Sequence, residues 1–168
     1  MKDRFKRQLI INKHFAKEGQ HHLVLILDGL VPDFNIGKLF RSAEVFSLRK
    51  ICLINTAYFD PDPAKRTFEK LKATFYDQFD QCYQELKKDG YSFFAMDVHT
   101  ENYLPHTKFP EKSAIILGHE ERGLSFNPGN YPDINLVKIQ QYGVTESLNV
   151  SIAGTIAVYE YLRQNVFD

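Results

Sequence analysis

The chain has 168 residues, 43% of them hydrophobic and 14% aromatic, which suits one domain with a sizeable core and excludes a disordered segment. Lys+Arg and Asp+Glu both total 21, so overall charge neither favours nor excludes a polyanionic partner. No apolar run approaches the ~20 residues of a membrane span and nothing at the start reads as a signal peptide, so a cytoplasmic protein is expected.

Within residues 1–17, Lys2, Arg4, Lys6, Arg7, Lys13 and Lys17 face a single acid, Asp3. This reads either as a phosphate-attracting arm or as a solvated helical face. Residues 1–20 are taken as a basic N-terminal segment and 21–168 as one domain. His21-His22 lacks cysteine or carboxylate neighbours at ligand spacing, so no metal site is expected. Cys52 and Cys82 form no CxxC pair and read as ordinary reduced thiols.

Apolar runs at 23–27 (LVLIL), 51–54 (ICLI), 93–96 (FFAM), 114–117 (AIIL) and 136–139 (LVKI) read as buried strands. Between the first two, Ile36, Leu39, Phe40 and Ala43 fall on one helical face. Residues 64–88 read as one or two helices ending at Gly90. A last helix over 147–163 places Leu148, Ile152, Ile156 and Tyr159 on one stripe. Strands alternating with helices predict an α/β domain with a mainly parallel sheet. Ligands of such sheets bind at the carboxyl ends of strands, so the segments after each strand carry the interest.

Three of them are unusual. In LDGLVPDFNIGKLFRSA, Asn35, Gly37 and Arg41 form an N-x-G-x-x-x-R spacing. Gly37 falls in the first helical turn, where it costs stability, so a close approach by another group is expected. Arg41 lies one turn on, and helical side chains lean back toward the helix entrance, where free N–H groups favour anions. In LGHEERGLS, Gly118 and Gly123 bracket Glu120, Glu121 and Arg122, and neither a dinucleotide fingerprint nor a P-loop is present. In IQQYGVTESLNVSIAGT, Gly143 precedes Ser147 and Asn149 at the start of the last helix. Capping alone accounts for one of the two polar side chains, not both.

Together the three segments resemble the SpoU (TrmH) branch of the SPOUT methyltransferase superfamily. Asn35-x-Gly37-x-x-x-Arg41, Gly118-x-Glu120-x-x-Gly123 and Gly143-x-x-x-Ser147-Leu148-Asn149-Val150-Ser151 match its three motifs, over roughly residues 23–163. Two positions depart from the pattern. Gln140-Gln141 follow Ile139 where relatives have proline and an apolar residue, and His119 stands where asparagine or serine is usual.

The resemblance implies a C-terminal deep trefoil knot, a rare exception to unknotted topology. It implies transfer of methyl from S-adenosyl-L-methionine, leaving S-adenosyl-L-homocysteine, to a ribose 2′-hydroxyl of tRNA or rRNA, with tRNA slightly favoured. Leu117, Gly118, His119, Gly123, Ile139, Gly143, Ser147 and Leu148 would hold the cofactor. Arg41 is assigned to the reacting 2′-oxygen, with Asn35, Glu120, Ser147 and Asn149 orienting it or the nucleotide. A guanidinium stays protonated, so stabilising a developing alkoxide suits it better than base catalysis. A homodimer burying parts of 36–46 and 148–163, with the active site at the subunit interface, is also implied. The competing reading is a non-catalytic RNA-binding or assembly factor on the same fold.

Overall fold

The run 23–27 is apolar at every position because both faces of its strand are covered. In the computed structural model, which describes residues 2–167, this run lies in β1 (His21–Asp28), the third strand of a six-stranded sheet. The others are β2 (Leu48–Ile54), β3 (Ala73–Tyr76), β4 (Ser92–Met96), β5 (Ser113–Gly118) and β6 (Ile134–Val137). Their order is β3-β2-β1-β5-β4-β6, and every pairing is parallel. The expected parallel α/β sheet is present.

Alternation along β1 divides the core. Leu23, Leu25 and Leu27 face α1 (Lys2–Phe15), α2 (Phe34–Val45) and α4 (Val150–Asn165), with Phe5, Leu39, Phe40 and Tyr161 in the same cluster. Val24 and Ile26 face α3 (Phe79–Lys88) through Phe79, Cys82 and Leu86. Cys52 and Cys82 are both buried and free.

Two expectations are corrected. Residues 64–88 are not helical throughout: short 3-10 turns at Asp62–Ala64 and Thr67–Glu69 lead into β3, and only Phe79–Lys88 is α-helix. Ala73–Tyr76 is a four-residue edge strand, too short for its period to register, and its partner β2 decides its conformation. The last helix starts at Val150, not 147. Of the expected stripe, Ile152, Ile156 and Tyr159 lie outward on the helix and Leu148 is exposed just before it, while Gly154, Ala157, Val158 and Tyr161 face the core. Small residues win the inner face because α4 crosses close to the sheet: a Cβ at Gly154 would lie 2.6 Å from Leu117 Cδ1.

The basic first segment is helix α1, and it is stitched to the domain. Phe5 stacks on Phe68 at 5.7 Å and meets Phe59 edge-on at 5.1 Å. Buried Asn12 donates to the carbonyls of Phe68 and Leu71 at 2.5 and 2.7 Å. Arg4 pairs with Asp62, and Lys2 sits over the Tyr58 ring, so two of the six cations are already engaged.

Candidate active site

The carboxyl ends of β1 and β5 lie side by side, and the segments that follow β1, β5 and the edge strand β6 meet beside the N-terminus of α2. Asp33 caps α2 by accepting from the Asn35 backbone N–H at 2.8 Å, which fixes Asn35 at the first turn. Asn149 caps α4 in the same way, its Oδ1 accepting from Ser151 N at 3.0 Å and Ser151 Oγ at 2.6 Å. Because that oxygen must face the helix, the Asn149 amide nitrogen faces outward and donates to Asn35 Oδ1 at 3.1 Å. Asn35 Nδ2 in turn donates to Glu120 Oε1 at 3.1 Å, and Val31 N donates to Glu120 Oε2 at 3.0 Å. The orientation of every amide in this chain follows from the helix cap at one end and the acceptor-only carboxylate at the other.

Capping therefore accounts for Asn149 and not for Ser147. Ser147 is exposed and makes no side-chain hydrogen bond among the described residues. Arg41 is exposed on α2 and likewise has no hydrogen-bond or ion-pair partner among them. One turn further, on the same face, Val45 is also exposed.

The group that approaches Gly37 is the chain itself. A Cβ there would lie 2.9 Å from Ala64 N and from Pro63 Cβ, so the glycine lets the 62–64 turn seat against α2. Gly118 works similarly: a Cβ would lie 2.6 Å from the Gly123 carbonyl carbon. His119 and Gly123 exchange backbone hydrogen bonds of 2.8 and 2.9 Å, and Gly123 closes the turn at φ +69°. His119 Nδ1 accepts from the Glu121 and Arg122 amides at 3.1 and 3.3 Å, so its ring builds the turn that presents Glu120.

The sequence reading missed Asp28. This carboxylate, at the end of β1 and 0% exposed, accepts from Ser125 N and Ser125 Oγ at 2.6 Å each. Burial pushes its carboxyl above the ordinary value, and the two Ser125 bonds pull back against that. Asp28 thereby ties the far end of the 118–125 turn to the central strand. A lone acid closing an apolar strand (LVLILD) was the available signal.

The segment after β6 has a distinct property. Lys138 exchanges backbone bonds with Asn102 and Leu104 at 2.8 Å, but residues 139–148 make no backbone–backbone hydrogen bond among the described residues. Ile139 is half-buried, and 140–149, including Gly143 and Leu148, are exposed. N–H and C=O groups without a backbone partner, beside apolar Ile139 and Leu148, suit a ligand with a planar heterocycle and a polar sugar.

The family model for the SpoU rRNA Methylase family matches residues 22–159. A tRNA (guanosine(18)-2′-O)-methyltransferase of Borreliella burgdorferi is 28% identical over 86% of this chain and 67% of its own length. A solved structure described as giving insights into the 2-OH methylation of C/U34 on tRNA is 26% identical. It matches with a TM-score of 0.73 over 86% of this chain and 96% of the other. The SpoU methyltransferase AviRb of Streptomyces viridochromogenes, in complex with AdoMet, matches at TM-score 0.74 and 22% identity, over 92% of this chain and 61% of its own. The chain spans only 10% and 39% of two other curated relatives.

Proposed function

This chain belongs to the SpoU rRNA Methylase family, and we propose that it transfers a methyl group from S-adenosylmethionine to a ribose 2′-hydroxyl of RNA. One observation carries the reading. The Glu120–Asn35–Asn149 chain of hydrogen bonds joins the three motif segments at one point, at the start of the helix whose exposed Arg41 has no hydrogen-bond or ion-pair partner among the described residues. The match that covers 96% of a neighbour described by methylation of tRNA favours tRNA over rRNA as substrate.

S-adenosylmethionine, when bound, supplies an electrophilic methyl group. Leu117, Gly118, Ile139 and Leu148 would hold its adenosyl part, with Gly143, Ser147, His119 and Gly123 shaping the two loops around it. The fit rests on the unpaired backbone of 139–148 and on the turn that Gly118 and Gly123 close. Arg41 would stabilise negative charge growing on the 2′-oxygen and hold the neighbouring phosphate. Asn35 and Asn149 would fix the entrance to α2 so that this guanidinium has one position to return to, and Glu120 would hold Asn35.

The reading includes a trefoil knot and a homodimer. Supporting the knot, the 97–110 crossover is bonded at one end to Lys138 and at the other to α4, where Gln164 bridges Thr107 and Phe109 at 2.8 and 3.0 Å. The segment 138–149 runs between those two ties. Supporting the dimer, Leu148, Ile152, Ile156 and Tyr159 expose an apolar stripe of 38–53% relative accessibility, with Val45 one turn from Arg41. A partner seated there would also wall the Arg41 side of the site.

The test is transfer from methyl-labelled S-adenosylmethionine to total tRNA and, separately, to rRNA. Label should appear in nuclease-resistant dinucleotides, the signature of a 2′-O-methyl group. RNA binding without any label in either pool would instead support an assembly factor.

A further inference from the structure

The C-terminus of α1 and the left-handed turn at 65–66 form the walls of a groove of about 580 Å3, separate from the motif segments. Lys17, Lys65, Arg66 and Lys70 line it against a single carboxylate, Glu69, and the Phe15 ring stands at its edge 73% exposed. Glu69 is already taken by Arg66, at 3.1 Å, and Lys70 reaches Glu44 on α2 at 3.5 Å. Lys17 and Lys65 have no ion-pair partner among the described residues.

We propose that this groove is a second RNA contact, in which Phe15 stacks on an unpaired base while Lys17, Lys65, Arg66 and Lys70 hold the flanking phosphates. The proposal rests on the reading of the protein as one that acts on RNA. An aromatic face beside a track of cations is the arrangement that binds single-stranded nucleic acid, because every base has a π-face and every linkage a phosphate.

Backbone hydrogen bonds tie the two walls of the groove together. Lys17 N donates to the Lys70 carbonyl at 2.8 Å and Lys72 N to the Lys17 carbonyl at 2.9 Å, a short parallel bridge between its walls. Behind the groove, buried Asn12 ties α1 to the carbonyls of Phe68 and Leu71. Lys65 and Arg66 hold φ of +49° and +69°, a conformation that non-glycine residues seldom adopt and adopt still more rarely in succession. Glycine or asparagine would fit this turn more easily. Two long cations there cost backbone strain, and a charged reach to a phosphate is a use that neither smaller residue could serve. The groove also touches the catalytic helix, since Glu44, the partner of Lys70, lies one turn after Arg41. RNA held here would leave the groove directly alongside α2.

Removing residues 1–17 is a poor test, because it strips Phe5 from Phe59 and Phe68. Exposed positions allow a cleaner one. Phe15→Leu keeps apolar bulk without the stacking face. Lys65→Asn and Arg66→Asn remove charge while suiting the left-handed turn. Lys88→Asn, on the opposite face of the sheet, is the control. Fluorescence anisotropy with a mixed-sequence 20-nucleotide single-stranded RNA and with total tRNA, over a salt series, gives affinity and slope.

Phe15→Leu should weaken binding about tenfold at constant slope. Each asparagine variant should lower the log–log salt slope by about 0.7, while S-adenosylmethionine affinity and the kcat of any transfer stay unchanged and KM for RNA rises. Wild-type affinity and slope in all three groove variants would overturn the groove and leave the methyltransferase reading standing. A wild-type protein that binds neither RNA would overturn both.

Discussion

Asn149 donates to Asn35 across 3.1 Å, a hydrogen bond between residues 114 positions apart, and the same Asn149 side chain caps α4. The start of the C-terminal helix and the start of α2 are thus set by one amide. Asn149→Ala should remove the cap, at about 1 kcal/mol, and lower the melting temperature by roughly 2–4 °C for a domain of this size. It should also free Asn35 and reduce transfer by more than the stability loss explains. Thermal unfolding and labelled-methyl transfer on the same preparation separate the two; full turnover with the lower melting point would confine Asn149 to capping.

The direction of the hydrogen bonds permits a sharper test. Asn35→Asp replaces the amide that donates to Glu120 with an acceptor facing another acceptor. That change alone should destabilise the site and abolish transfer. Adding Glu120→Gln restores a donor toward position 35 while the remaining carbonyl oxygen still accepts from Val31 N. The double variant should recover stability relative to Asn35→Asp, a coupling read from a double-mutant cycle. Strictly additive effects would mean that the two side chains do not act through this bond.

Arg41 differs because nothing in the fold depends on it. Exposed and unpaired among the described residues, it should be replaceable by alanine without loss of stability or cofactor affinity. Transfer should fall by about 10²–10³, the usual consequence of removing one stabiliser of developing negative charge. Calorimetry with S-adenosylhomocysteine and an RNA transfer assay on the variant check both halves. Substantial residual transfer would take Arg41 out of the mechanism.

Motif residues were legible in the sequence because each is a local signal: a glycine in a first turn, a capping asparagine before an apolar run. What they touch was not. Gly37 reads as a place of close approach, yet only the fold reveals that Pro63 and Ala64 fill it, from a 3-10 turn at the edge of the 64–88 stretch that reads as helix. The α4 stripe was visible by its period, but an apolar stripe has the same period whether it faces a sheet or leaves it. The small residues Gly154 and Ala157 won the inner face because Leu117 and Leu39 press against it. Asp28 escaped notice because its partner, Ser125, is 97 residues away.

Asp28 also gives a pH dependence with a definite sign. Its folded value lies above the unfolded one, chiefly through burial, so its contribution to stability is fully present below the ordinary carboxylate value. That contribution is lost as pH rises through the raised folded value, above which the buried charge is a cost. Asp28→Asn keeps a carbonyl oxygen for Ser125 N and cannot ionise. The melting temperature of the variant minus that of the wild type should therefore become more positive between pH 4 and pH 7. A difference independent of pH would mean that the Ser125 bonds cancel the effect of burial, and one that grows more negative that they outweigh it.

The last prediction concerns the outer face of α4. Ile152, Ile156 and Tyr159 project from it, Tyr159 meets Phe46 and Phe167 at 6.3 and 5.4 Å, and Val45 extends the patch along α2. Inside, Ser42 and Thr155 share a 2.9 Å hydrogen bond that fixes the two helices as one surface. A rigid apolar face of this kind beside a free arginine suits a second copy of the chain in a two-fold contact. Ile156→Asp places a charge in the middle of that face without touching the core side of the helix. The wild type should scatter light as a dimer at micromolar concentration, and Ile156→Asp as the 19.5 kDa monomer. The variant should keep its fold but lose transfer, since the Arg41 side of the site would stand open to water. An Ile156→Asp monomer that still methylates RNA at the wild-type rate would separate catalysis from dimerisation and return the whole reaction to one chain.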